Sequence, residues 1–281
     1  MNESKYEHIV HPFPPLYNSE SRILILGSLP SVKSREQMFF YGHPQNRFWK
    51  MISGVFEEAV PQTIEEKKAF LLENVKQLKG HDHGRTFRVI LEHLDALDYQ
   101  VSYAVLRAAD YGVPQNRERI YIVGFDRKRF NLPKEYAFPY PEPTHEKTRL
   151  GDILEQNVDE KYTISQKLYE GHLRRKEEHK KKGNGFGFSL FNAESEYANT
   201  ISARYYKDGS EILIDQGDSI PPRKLTPREC ARLQGFPESF VIPVSDTQAY
   251  KQFGNSVAVP VIRYIAKQMI SELNRMEKEN G

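Results

Sequence analysis

Between Thr86 and Gly124 the apolar pattern changes period, and that change restricts the fold more than any other feature of the chain. Phe87, Ile90, Leu91, Leu94 and Leu97 recur at helical spacing from Thr86 to Asp98. Strand-like sequence follows from Gln100 to Leu106 and again over Arg119-Ile120-Tyr121-Ile122-Val123-Gly124. A helix joined to two strands is an α/β unit, with the loop Tyr111 to Glu118 at one sheet end. Upstream, Ile23-Leu24-Ile25-Leu26 runs into Gly27-Ser28-Leu29-Pro30-Ser31, which predicts a buried strand ended by a tight loop. Helices are expected from Arg47 to Phe56 and from Thr63 to Leu72, the second with Glu65 and Glu66 in its first turn.

Downstream of Phe125 this regularity stops. Prolines cluster at Pro139, Pro141 and Pro143, Leu173 to Lys182 is almost continuously charged, and glycine alternates with aromatics from Gly183 to Phe188. Residues 128–220 therefore form a smaller, irregular domain. Helical patterning resumes after Thr226 and from Val259 to Met276. The chain has 281 residues, with 40 Lys and Arg against 38 Asp and Glu, so overall charge does not select a polyanionic partner. Its one cysteine, Cys230, excludes an internal disulfide and a multi-thiolate zinc site, and its nine histidines form no HxxxH pair. A metal is not expected. No apolar run of roughly eighteen residues and no basic-then-apolar start is seen, which points away from a membrane and to the cytoplasm.

The run Gln115-Asn116-Arg117-Glu118-Arg119 leads into the second strand. It is a charged turn, or a pair of forked donors on one side of an extended backbone, suited to a phosphate or a base carbonyl. Three further blocks accompany it in order: Glu73-Asn74-Val75, then Arg223 to Pro237 with Thr226-Pro227-Arg228-Glu229 as a capped helix start, then Gly254-Asn255-Ser256-Val257-Ala258-Val259-Pro260. Over residues 73–276 these resemble the later motif blocks of DNA cytosine-5 methyltransferases.

That resemblance implies an α/β fold made of part of a methyltransferase sheet (73–127 and 221–281) around a target-recognition domain (128–220). It implies S-adenosylmethionine as cofactor, double-stranded DNA as partner and a restriction-modification setting. In the family chemistry a cytosine is flipped out, a cysteine thiolate adds to carbon 6, and the enamine takes the methyl group. Glu73 would hold the ring nitrogen and amine of the base, and Arg117 and Arg119 would orient it with support from Gln115. Asn255 and Ser256 would approach the cofactor, or cap the last helix. Thr200 to Gly209 resembles the loop entering the major groove, giving Ser202, Arg204, Tyr205 and Lys207 to DNA, with Arg228 and Gln115 as further contacts.

Two family features are not found in these residues. No glycine-rich cofactor loop precedes Glu73, and no Pro-Cys dipeptide occurs; Cys230 follows Glu229 and matches a packing position. Activity is therefore expected only with a complementing chain that carries both. Residues 1–72 read differently. The stretches His11 to Pro15, Gly27 to Glu36 and Tyr41-Gly42-His43-Pro44-Gln45-Asn46-Arg47-Phe48-Trp49 resemble the opening of a deoxyinosine glycosylase of the uracil-DNA glycosylase superfamily. By that resemblance this is a partial α/β fragment in which Asn46 would lie nearest the glycosidic bond, or cap a helix. A gene fusion, an internal deletion or an assembly artefact would each leave such a junction. A non-catalytic DNA-binding module, residual base excision and a defunct chimera are the alternatives to a split enzyme.

Overall fold

The computed structural model describes residues 23–26, 69–183 and 187–280. These residues divide into two compact units, one of residues 23–26, 69–103 and 121–138, the other of residues 104–120, 139–183 and 187–279. Strand β1 (Ile23–Leu26) pairs in parallel with β2 (Ala69–Val75), Ile23 opposite Ala69 and Leu26 opposite Leu72. Helix α1 (Arg85–Ala96) then leads to β3 (Tyr99–Arg107), and β4 (Glu118–Asp126) inserts to give the sheet order β1-β2-β4-β3. The helix and the two strands expected between Thr86 and Gly124 are thus present, and so is β1.

The helix expected over Thr63 to Leu72 is not, as far as its described residues show. Ala69, Phe70 and Leu71 are buried in β2, between two neighbouring strands. A short apolar run carries no period that separates strand from helix, and sheet pairing decides it here. Phe70 also explains Gly124: a Cβ there would lie 2.2 Å from the Phe70 ring, so only glycine leaves room for that ring. Phe70 meets Tyr99 edge-on at 4.9 Å, and Phe125 packs on Tyr136 and Phe138. Leu97, read as part of the apolar face, is exposed because α1 ends at Ala96 and Asp98 turns the chain at φ 62°. A single helical turn, α2 (Arg127–Phe130), is capped by Asp126, whose side chain accepts from the Arg129 amide. The helix expected at Arg47 to Phe56 and the loop Gly27 to Ser31 lie outside the described residues.

In the second unit, α3 (Gln166–Lys181) is highly charged and is capped by Ser165. Two short parallel strands follow, β5 (Leu190–Phe191) and β6 (Leu213–Ile214), packed with Ile164 and Phe188. Helix α4 (Pro227–Leu233) begins as its sequence dictates. The Thr226 Oγ1 accepts from the Glu229 amide at 3.1 Å, Glu229 accepts from the Thr226 amide at 2.8 Å, and Pro227 takes the first position. Such a cap contributes about 1 kcal/mol. Helices α5 (Asp246–Asn255) and α6 (Val259–Asn280) complete the unit, α6 burying Val261, Ile265, Met269 and Leu273 on one side. Among the described residues no helix is long and apolar enough to cross a membrane.

Candidate functional site

The loop between β3 and β4 organises the second unit. Gly112, at φ 88°, ends a short turn after β3, and the Ala108 amide donates to the Arg117 carbonyl at 2.9 Å to close the loop's base. The loop then takes on a single β-bridge. Asn116 donates its amide to the Ala198 carbonyl at 2.8 Å, and Ala198 donates to Pro114 at 2.9 Å, which sets Gln115 opposite Ala198. Side chains extend this contact, because Thr200 Oγ1 donates to the Asn116 carbonyl at 2.8 Å.

Gln115 is completely buried, and its amide joins three segments. Its Oε1 accepts from the Ile201 amide at 3.2 Å, and its Nε2 donates to the Leu233 carbonyl at 3.0 Å and to Gln234 Oε1 at 3.2 Å. Gln234 passes the connection on by donating Nε2 to the Phe253 carbonyl at 2.7 Å, at the end of α5. Arg117 adds a second link. Its Nη1 donates to the Ile201 carbonyl at 3.3 Å and its Nη2 to the Ser256 carbonyl at 2.7 Å. The forked donors expected to grip a phosphate or base are therefore directed at backbone carbonyls, with Arg117 only 4% exposed. Arg119 is half-buried on β4 and donates to the Glu118 carbonyl at 2.8 Å.

The remaining site residues separate into inward and outward groups. Tyr205, expected at DNA, is fully buried: its Oη donates to the Ile212 carbonyl at 2.6 Å and accepts from the Leu225 amide at 2.8 Å. Burial raises its pKa well above the ordinary phenol range, and no face is left for a base. Gln115 is likewise sealed from DNA contact. Ser202 is half-buried and donates to Glu211, and Arg228 donates to the Phe240 carbonyl at 2.7 Å. Arg204 and Lys207 are exposed.

Asn255 is the exposed last residue of α5, and Ser256 terminates that helix by donating its Oγ to the Phe253 carbonyl at 2.8 Å. Ser256 thus caps the end of α5 and not the start of α6. In the first unit, Glu73 is half-buried in the second half of β2, and Asn74 accepts its neighbour's amide at 2.8 Å. Asn46 lies outside the described residues.

Cys230 is a free thiol, completely buried in α4. Burial, with the Glu229 carboxylate adding to it, holds its pKa well above the usual thiol value. It is a protonated packing residue at neutral pH, and no nucleophile. The described groups make up a frame that positions segments, with no activated nucleophile of its own.

Some members of that frame were missed from the sequence. Gln234 gave no signal except a polar residue between Leu233 and a glycine; Gly235 has φ 77°, and a Cβ on it would meet Pro260 at 2.4 Å. Gly254 was read only as flanking Asn255. A Cβ there would lie 2.2 Å from the Ser202 backbone, so glycine is what lets residues 202–203 rest against α5. The bidentate pair of Arg223 with Glu229, at 2.8 Å on both sides, is buried under α4.

Comparison with known proteins adds the following. A model described as "C-5 cytosine-specific DNA methylase" matches residues 39–271. The chain is 63% identical over 221 residues to Type II methyltransferase M1.ScrFI of Lactococcus lactis subsp. cremoris, a match covering 78% of this chain and 56% of that protein. It is 61% identical over 217 residues to Type II methyltransferase M.SsoII of Shigella sonnei, covering 76% of this chain and 56% of the other. The chain thus spans about half the length of these curated relatives. The solved S. pombe Dnmt2 methyltransferase superposes with a TM-score of 0.62 at 19% identity, over 91% of this chain and 79% of its own, a likeness of fold. The matched span begins at residue 39 and so includes the block Tyr41 to Trp49 with Asn46. The comparisons bring no support for a glycosylase portion.

Proposed function

Because the chain belongs to the C-5 cytosine-specific DNA methylase family, we propose that it supplies the later motif blocks of a split DNA cytosine-5 methyltransferase and acts with a second chain. That second chain would carry the glycine-rich loop and the Pro-Cys nucleophile, neither of which occurs in these 281 residues. The observation that carries this reading is the buried Gln115 amide, which ties the arginine loop to Ile201, Leu233 and Gln234 in one unit. A chain that had drifted from function would have little reason to keep a buried amide satisfied on both its oxygen and its nitrogen.

In this reading residues 128–220 are the target-recognition segment, and Glu73 would hold the flipped cytosine. Arg117 acts by fixing where Ile201 and Ser256 lie, Arg119 orients the base, and Arg204 and Lys207 meet DNA. Family membership implies S-adenosylmethionine as methyl donor. Of the cofactor residues named from sequence, Asn255 is exposed, and Ser256 spends its hydroxyl hydrogen on the Phe253 carbonyl while its oxygens keep lone pairs for a ligand. In this reading the complementing chain supplies the glycine-rich part of the cofactor pocket.

The test is incorporation of tritiated methyl groups into duplex DNA when this chain is mixed with the amino-terminal half of a relative. Incorporation in the mixture alone is the expected result. Salt-sensitive DNA binding without incorporation in any mixture would leave a non-catalytic binding module and end the split-enzyme reading.

A further inference from the structure

The second unit also contains a cleft that the Gln115 frame does not use. It encloses about 610 Å³ and is lined by Asn116, Lys176, Lys180, Asn199, Thr200 and Ser210, among others. Lys176 and Lys180 are four residues apart on α3 and so share one helix face. Their wall is firmly built. Phe188 is buried, with Lys176 Nζ 4.8 Å from its ring centre, and Gly187 runs so close that a Cβ would lie 3.2 Å from Lys176 Cγ. The opposite side is fixed by Asn199, which donates to Ser189 Oγ at 2.8 Å and to the Glu211 carbonyl at 3.1 Å.

Donors left over define what the cleft can take. Asn199 and Thr200 are spent on the protein and the Ser210 hydroxyl is held by Asp208, whereas the two ammonium groups and the Asn116 side-chain amide have no hydrogen-bond or ion-pair partner among the described residues. Neither lysine has a carboxylate partner among the described residues, and Glu211, which also lines the cleft, accepts from Ser202. Two cations beside a neutral amide donor call for an anion with several oxygens.

We propose that this cleft is a phosphodiester site, which receives the backbone of a DNA strand lying along residues 199–202. The proposal rests on the DNA-methyltransferase reading above. Lysine ammonium groups meet phosphate as point charges and read no base, so the site should set affinity and register, leaving sequence preference to other groups. Its position suits that task, because Asn116 precedes Arg117 and Thr200 precedes Ile201, the two residues joined at 3.3 Å.

The test is titration of a fluorescent duplex with the full 281-residue chain across a range of salt. For Lys176→Gln/Lys180→Gln, loss of two phosphate contacts should flatten the slope of log affinity against log salt by about 1.8. The ratio of affinities between duplexes of different sequence should stay the same. Lys267→Gln, which removes an exposed charge on α6, is the control and should leave the slope nearly unaltered. An unchanged slope in the double variant overturns the proposal. So does a flattening of equal size per charge in the control, or a changed sequence ratio. If the unaltered chain binds no duplex at any salt, the site proposal is overturned, while methyl incorporation in the mixture tests the split-enzyme reading separately.

Discussion

Within each of the two compact units the buried contacts differ in kind. In the first, Phe70 against Tyr99 and Gly124, and Phe125 against Phe138, are apolar contacts without a required angle of bonding. The second has an apolar core of its own, with Leu213, Leu225 and Leu233 fully buried, and adds long-range directional bonds such as Arg117 to the Ser256 carbonyl across 139 positions of sequence. Apolar packing degrades gradually when a group is trimmed, but a buried polar network fails sharply when one partner is lost. Damage to the second unit should therefore cost more per atom removed.

Glu229 gives the largest expected effect. It is completely buried, pairs with Arg223 through both oxygens, and also accepts from the Glu155 and Thr226 amides. Glu229→Ala strands a buried arginine and should destabilise by about 3–5 kcal/mol, read from urea unfolding. Tyr205→Phe comes next: it leaves the Ile212 carbonyl and the Leu225 amide without their partner, at a cost of about 1–3 kcal/mol. Phe70→Leu in the first unit trims apolar atoms and strands no polar group, so it should cost about 1–2 kcal/mol. A Phe70→Leu cost exceeding that of Glu229→Ala would erase the contrast between the units.

Those same differences decide what could be read from sequence. Helix α1, strands β3 and β4 and the capping box of Thr226 are local, and each follows from period or from residues three apart. Gln115 and Arg117 were singled out for the right segment but with the wrong direction, because their partners Ile201 and Ser256 lie 84 to 139 residues further along. Tyr205 was given to DNA for the same reason: nothing local shows that Ile212 and Leu225 close over it. The strand at Ala69 was missed because burial by its neighbours, and no pattern of its own, selects its conformation.

His172 supplies a smaller effect that depends on pH. Burial, and then the Arg175 guanidinium 2.9 Å from its Nδ1, holds the imidazole below its usual value of 6.5. Below that value the unfolded chain takes up a proton that the folded one resists, so stability contributed here is present above about pH 6.5 and declines as pH falls. The urea midpoint should drop between about pH 7.5 and about pH 5.5, and His172→Gln should reduce the drop. A midpoint that rises over that interval would reverse the sign of the argument.

The central claim is that this chain positions and does not attack, and one comparison tests it most directly. Tritiated methyl transfer to duplex DNA should be measured for this chain mixed with a complementing half, using the native sequence, Cys230→Ala and Arg117→Ala. The account predicts that Cys230→Ala retains the native rate, since its thiol is buried and protonated, and that Arg117→Ala lowers the rate by about tenfold or more through loss of the positioned loop. A rate abolished by Cys230→Ala in a folded protein, with Arg117→Ala unaffected, would contradict it.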